Sequence, residues 1–188
     1  MDFMPDIEPC LKTLKEGGII LYPTDTIWGI GCDATNEYAV DKILTLKKRP
    51  EKKGLIVLVA DEKDLFHYTS QPDPAVLHYL ERTEKPTTVI FEGMINLAEN
   101  LSEDGSIAIR LVQDSFCSHL IRRLKKPLVS TSANISAQAS PRFFEEISAE
   151  IRKGVDYIVK YRQDDHSIRE ASSLVKFNRD GTVAVIRP

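Results

Sequence analysis

Three short stretches concentrate groups that could hold an anion or a nucleotide. The first, PTDTIWGIGCDA at residues 23–34, offers Thr24, Asp25 and Thr26, then one aromatic residue, Trp28, and two glycines, Gly29 and Gly31. Hydroxyls and a carboxylate supply hydrogen bonds, and glycine lets a backbone approach a ligand closely. The same residues would serve equally well as an ordinary polar turn. The second stretch, LKKRPEKK, sets Lys47, Lys48, Arg49, Lys52 and Lys53 within seven residues. Five cations suit a polyphosphate, but lysines also decorate helix C-termini, where the dipole favours them. The third, STSANIS, brings Ser130, Thr131, Ser132, Asn134 and Ser136 together. Hydroxyls and N–H groups after a strand can meet an anion or a purine edge, or simply cap a turn. No GxxxxGK[ST] occurs, and GIG lacks the third glycine of a dinucleotide fingerprint.

Two arginines stand apart from these loops. Arg110 sits at the end of SIAIRL and Arg187 at the end of VAVIRP. A cation on an apolar strand needs a partner, because burying it alone is costly. A structural ion pair is one answer. A bound carboxylate is another, since a guanidinium grips carboxylates bidentately. Arg187 is the next-to-last residue, where a slack, solvated tail is the default.

The elements that must position these groups can be read from periodicity and breakers. Ile7, Cys10, Leu11 and Leu14 recur at helical spacing, and Gly17 and Gly18 stop that helix. Residues 19–22 read as a buried strand, and Pro23 opens the PTDT loop. A helix is expected from an Asn36 cap to residue 48, with Val40, Ile43 and Leu44 on its apolar face. Residues 55–60 form a strong strand signal. Short helices follow near residues 61–68 and 74–82, then strands at 87–91 and 106–111. Asp114 caps a helix bearing Phe116, Cys117, Leu120, Ile121 and Leu124. Leu128 and Val129 form a short strand that leads into STSAN. Ser140 and Pro141 open a further helix to about residue 153, and strands near 157, 173–177 and 183–187 close the chain. Helices and strands alternate without strict βαβ order, so the pattern predicts an α/β fold with a mixed sheet.

Bulk properties bound the function. One domain over residues 1–188 is expected at this length. Lys and Arg number 25 against 28 Asp and Glu, which argues against a protein that coats nucleic acid. Cys10, Cys32 and Cys117 lie far apart, and neither they nor the four histidines have metal-ligand spacing, so no metal site is expected. No apolar run is long enough to span a bilayer and the N-terminus does not resemble a signal peptide, which fits a cytoplasmic protein with no membrane partner.

Taken together and in order, the motifs resemble the YrdC-like family of threonylcarbamoyl-AMP synthases. The matching stretches are GGIILYPTDTIWGIGCDA, LTLKKRP with GLIVLV, KPTTVIF, SIAIRL, PLVSTSANIS with ASP, SSLVKF and VAVIRP. They run from about residue 14 to residue 188, as in the short, single-domain form. The resemblance implies a twisted mixed sheet flanked by helices around a deep, positively charged cleft. It implies that ATP, L-threonine and bicarbonate are joined, with magnesium, into threonylcarbamoyl-AMP. The product passes to a tRNA-modifying machinery that makes threonylcarbamoyladenosine, and weak binding of tRNA itself is compatible with this.

Residue by residue, the resemblance puts Thr24, Arg110 and Ser130 on threonine, with Ser172 or Ser173 lining its pocket. Leu58 stands in that pocket where the family commonly has a histidine. Lys47 and Arg49 match a KxR that meets the ATP phosphates and carries the catalytic charge stabilisation. Lys53, Ser106, Ser132, Asn134, Ser140 and Arg187 fall on the nucleotide side. Two other readings use the same cleft: an RNA-binding module, and an inactive paralogue that binds only nucleotide.

Overall fold

The computed structural model describes residues 2–48, 55–178 and 182–188. Strands are β1 Ile20–Tyr22, β2 Gly29–Gly31, β3 Ile56–Val59, β4 Thr87–Phe91, β5 Ile107–Leu111, β6 Leu128–Ser132, β7 Tyr157–Ile158, β8 Ser173–Phe177 and β9 Val183–Arg187. Among the described residues they form one sheet in the order β7-β1-β2-β6-β3-β5-β4-β8-β9. The pairs β1/β7, β3/β5 and β4/β8 are parallel and the others antiparallel, so the sheet is mixed, as the pattern predicts.

Helices α1 Met4–Lys15, α2 Glu37–Leu46, α3 Glu62–Leu65, α4 Ala75–Leu80, α5 Ser115–Leu124 and α6 Ala149–Gly154 flank it. Two caps work as the sequence predicts. The Asn36 side chain accepts from the Ala39 N–H, and the Asp114 side chain from that of Cys117. Strand alternation sorts side chains onto the two faces. On one face Leu21, Ile30, Val57, Val89, Ile109 and Val129 meet α2, α3, α4 and α6 in a continuous core. On the other, Ile20, Tyr22, Leu58 and Leu128 pack under α1 and α5. These two helices cover only part of that face, and the remainder carries polar groups.

Three expectations need correction. Residues 29–31 are a strand, not part of a long loop. All three are buried, and the close fit explains the glycines: a Cβ on Gly31 would lie 2.4 Å from the Val129 carbonyl oxygen and 2.7 Å from the Tyr22 ring. Ser130 to Ser132 belong to β6 rather than to a turn after it. The single helix expected over 140–153 is instead a 3-10 turn, Phe144–Glu146, followed by α6, because Ser148 caps a new helix through the Ile151 N–H. Upstream, the Glu146 carboxylate accepts from the Arg142 N–H.

Asp6 joins distant parts of the chain. This buried carboxylate on α1 accepts from the Tyr157 hydroxyl at 2.7 Å, the Lys160 N–H at 3.0 Å and the Tyr161 N–H at 2.9 Å. Three bonds on one buried acid satisfy a group that would otherwise be costly to desolvate. Burial, and then this acid, push the Tyr157 phenol well up.

Candidate active site

The uncovered part of the sheet face forms a cavity of about 280 Å³, lined by β2, β3, β5 and β6, by the segment just before β8 and by the end of β9. Two roomier hollows, about 530 Å³ beside Glu92 and Lys176 and about 680 Å³ beside Asp6, contain none of the predicted site residues.

Arg110 forms the floor. It is 3% exposed, and its guanidinium lies 3.0 Å from the Asp25 carboxylate, off the hydrogen-bonding direction. Nη1 donates to the Thr26 hydroxyl at 2.9 Å, while Nε has no partner. The hydroxyls then order themselves. Thr24 Oγ1 donates to the Ile27 carbonyl at 2.8 Å, so in its 2.9 Å contact with Thr26 it must accept. A relay therefore runs from Arg110 through Thr26 and Thr24 to a backbone oxygen, and each bond polarises the next.

Ser130, Ser132 and Ser140 also line the cavity. Ser130 faces it because β6 pairs in register with Ile56 of β3. Of the two serines before and in β8, Ser172 lines the cavity; its hydroxyl is 2.8 Å from that of Thr88. Ser173 shares the face of Val175, on the far side of the sheet. Arg187 is held at the end of β9, where Nε donates to the Ser172 carbonyl at 2.9 Å. It lines the cavity rather than trailing as a tail. Burial, and then repulsion by Arg110, lower its pKa from the usual arginine value. An anion between the two guanidiniums would relieve both effects.

Other predicted residues lie elsewhere. Thr24 lies behind the cavity wall, its hydroxyl engaged in the relay. Leu58 is fully buried under α1 and α5. Lys47 is 1% exposed, and its ammonium donates to the carbonyls of Ser132 at 2.5 Å and Asn134 at 2.7 Å, fixing the exit of β6. Asn134 Oδ1 is buried without a hydrogen-bond partner. Ser106 is not among the residues that line the cavity. Its hydroxyl, then its N–H, donate to Asp104 and hold that carboxyl down at about 2. Arg49 and Lys53 lie outside the described residues. Sequence reading missed two contributors, Asp25 as the counter-charge of Arg110 and Arg162, which donates to the Thr24 carbonyl at 2.9 Å. Neither contact spans fewer than 80 residues of chain, so no local signal could have revealed it.

The described residues contain no group of three or more His, Cys, Asp or Glu able to hold a metal ion, and Asp25 is engaged by Arg110. The cavity wall therefore does not fit a protein-built magnesium cage.

The Sua5/yciO/yrdC family model, whose description reads "Telomere recombination", matches residues 12–188. The chain belongs to this family. Among family relatives, a threonylcarbamoyl-AMP synthase of Idiomarina loihiensis is 36% identical over 162 residues, covering 83% of this chain and 86% of its own. One from Psychromonas ingrahamii is 38% identical over 136 residues, covering 70% and 71%. The family fold is equally clear in solved structures. P. abyssi Sua5 in complex with L-threonine superposes with a TM-score of 0.83 at 21% identity over 97% of this chain, which spans 53% of that protein's length. E. coli YciO gives 0.79 at 22% identity, with 97% and 88% covered.

Proposed function

We propose that the chain is an L-threonylcarbamoyladenylate synthase, a nucleotidyltransferase of the cytoplasm that supplies threonylcarbamoyl-AMP for tRNA modification. The observation that carries this is the buried Arg110, whose Nε lacks a partner beside Ser130 and Ser172, in a chain 36% and 38% identical to two synthases of that name. A buried guanidinium with a spare donor is suited to a carboxylate such as that of threonine. Asp25 gives the buried guanidinium a counter-charge that offsets part of its desolvation.

The chemistry asks little of covalent catalysis. Threonine's amine and bicarbonate condense to a carbamate, with loss of water. A carbamate oxygen then attacks the α-phosphorus of ATP, and the bond to the pyrophosphate oxygen breaks. Carbamates are labile in water, so a recessed site helps. Holding the two reactants in line contributes up to ~7–11 kcal/mol. Arg187 is placed to stabilise the phosphate charge, and Ser132 and Ser140 to bind the nucleotide. Lys47 would act by shaping the Ser132–Asn134 backbone as well as by its charge. Magnesium is expected to arrive with ATP, and no step is assigned to it.

Purified protein with ATP should release pyrophosphate only when threonine and bicarbonate are both present. ATP binding without release would leave an inactive nucleotide-binding paralogue, and absence of release with tight RNA binding would favour an RNA module. Arg187→Ala should weaken ATP affinity about ten-fold, the scale of one charge-assisted hydrogen bond. It should leave the melting temperature without ATP nearly unchanged, because the residue as a whole is exposed at the end of β9 and only its guanidinium, bonded to the Ser172 carbonyl, is partly desolvated. ATP should accordingly protect the variant against heat less than it protects the wild type. Thermal melts with and without ATP decide this, and equal protection would remove Arg187 from the site.

A further inference from the structure

Arg162 belongs to no motif in the sequence, yet it ties three segments together. Its side chain is 15% exposed. Nη2 donates to the Thr24 carbonyl at 2.9 Å, Nη1 meets the Asp114 carboxylate at 2.9 Å, and Nε meets Asp165 at 3.3 Å. Thr24 opens the PTDT loop, and Asp114 caps α5. Asp165 lies on the connection that returns to Ser172, and it is itself held by Arg169 at 2.9 Å and by the Ser167 N–H at 2.9 Å. One guanidinium thus joins the loop before the cavity, the helix beside it and the segment that closes its far side.

The backbone gives an independent reason to regard this residue as special. Arg162 has φ +63°, in the left-handed region where glycine is the comfortable residue. A side chain with a Cβ is strained there, and such conformations persist where the surroundings over-determine them. Arginine occupies a glycine-like backbone site, and what it adds over glycine is the three-way contact of its side chain.

We propose that Arg162 is a positioning residue for threonine. It does not line the cavity of Arg110 and Ser130. It acts by pinning the Thr24 carbonyl, which holds the Thr24–Thr26 hydroxyl pair in line for Arg110 Nη1. Releasing that carbonyl lets the relay drift and slackens Arg110, the carboxylate donor, while Arg187 and Ser132 stay where they are. Misplacements of this kind act on binding geometry out of proportion to their size. The threonine part of the proposal rests on the synthase reading.

Arg162→Gly and Arg162→Lys test it. Glycine removes the side chain and relieves the backbone, so the fold should survive; lysine keeps the charge but cannot make the three-way contact. Both variants should raise the threonine KM about ten-fold and the ATP KM less than two-fold. Added guanidinium should lower the threonine KM of Arg162→Gly and not that of the wild type. Hydrogen exchange, which needs no turnover, should rise more over residues 24–29 in Arg162→Gly than over the core strands β3 and β5. A wild-type threonine KM, an equal rise in both KM values, or unaltered exchange over residues 24–29 overturns the proposal. A wild type that releases no pyrophosphate with threonine sinks the synthase reading instead, and the exchange measurement still decides whether Arg162 positions the loop.

Discussion

Arg110→Ala is expected to abolish threonine-dependent turnover and to destabilise the protein by about 3–5 kcal/mol, the range for breaking one partner of a buried ion pair. The variant strands Asp25, a nearly buried carboxylate whose charged neighbour is Arg110, and leaves the Thr26 hydroxyl without its donor. Against a total stability of roughly 5–15 kcal/mol, that is a large fraction. Urea titration measures the stability and pyrophosphate release the activity. The two losses separate in Arg110→Met combined with Asp25→Asn, since replacing both partners of a buried pair is often close to neutral. This double variant should recover most of the stability and none of the threonine use. Recovery of turnover with stability would mean that Arg110 supports the sheet and does not touch substrate.

Gly31→Ala should be the most disruptive single methyl in the chain's centre. The added carbon would stand 2.4 Å from the Val129 oxygen, a backbone atom of β6, and 2.7 Å from the Tyr22 ring. Neither neighbour can swing aside. The carbonyl is fixed in the sheet, and Tyr22 is fully buried against Phe116, with ring centroids 6.4 Å apart. Overpacking typically costs about 1–3 kcal/mol, and a clash with backbone belongs at or above the top of that range. β2 must move away from β6, carrying the PTDT loop from Ser130, so activity should fall with stability. Thermal melting and far-UV circular dichroism check it: a melting temperature within about 2 °C of the wild type would show that the strands yield more readily than close packing allows.

What could be read in advance was what depends on near neighbours in sequence. Asn36 and Asp114 announce their helices because a cap bonds within three residues. The apolar stripes of α1 and α5 bury the side chains that periodicity selects, Ile7 and Leu14 in one and Phe116 and Leu120 in the other. The strand at 29–31 was hidden because glycine has poor strand propensity, and what makes it a strand is the tight approach of Tyr22 and Val129 from elsewhere. The site divides in the same way. Arg110, Ser130, Ser132 and Arg187 line one cavity because β5, β6 and β9 belong to one sheet, and Ser140 and Ser172 join them from the segments after β6 and before β8. Asp25 and Arg162 were not legible, since their roles exist only once segments 85 and 138 residues apart in the chain have met. Lys47 was expected to face the ATP phosphates, and its ammonium is folded inward onto two carbonyls, a contact that spans 85 residues or more.

Asp6 limits how far the chain can be trimmed from its start. The span matched by the family model starts at residue 12, and Asp6 lies ahead of it, on the first turn of α1. A version of the chain shortened to that span would retain every residue that lines the cavity. It would nonetheless lose the acid that ties down Tyr157, Lys160 and Tyr161, the residues leading directly into Arg162. Minimal-domain boundaries drawn from sequence similarity alone would therefore cut a brace that fixes the segment leading into Arg162.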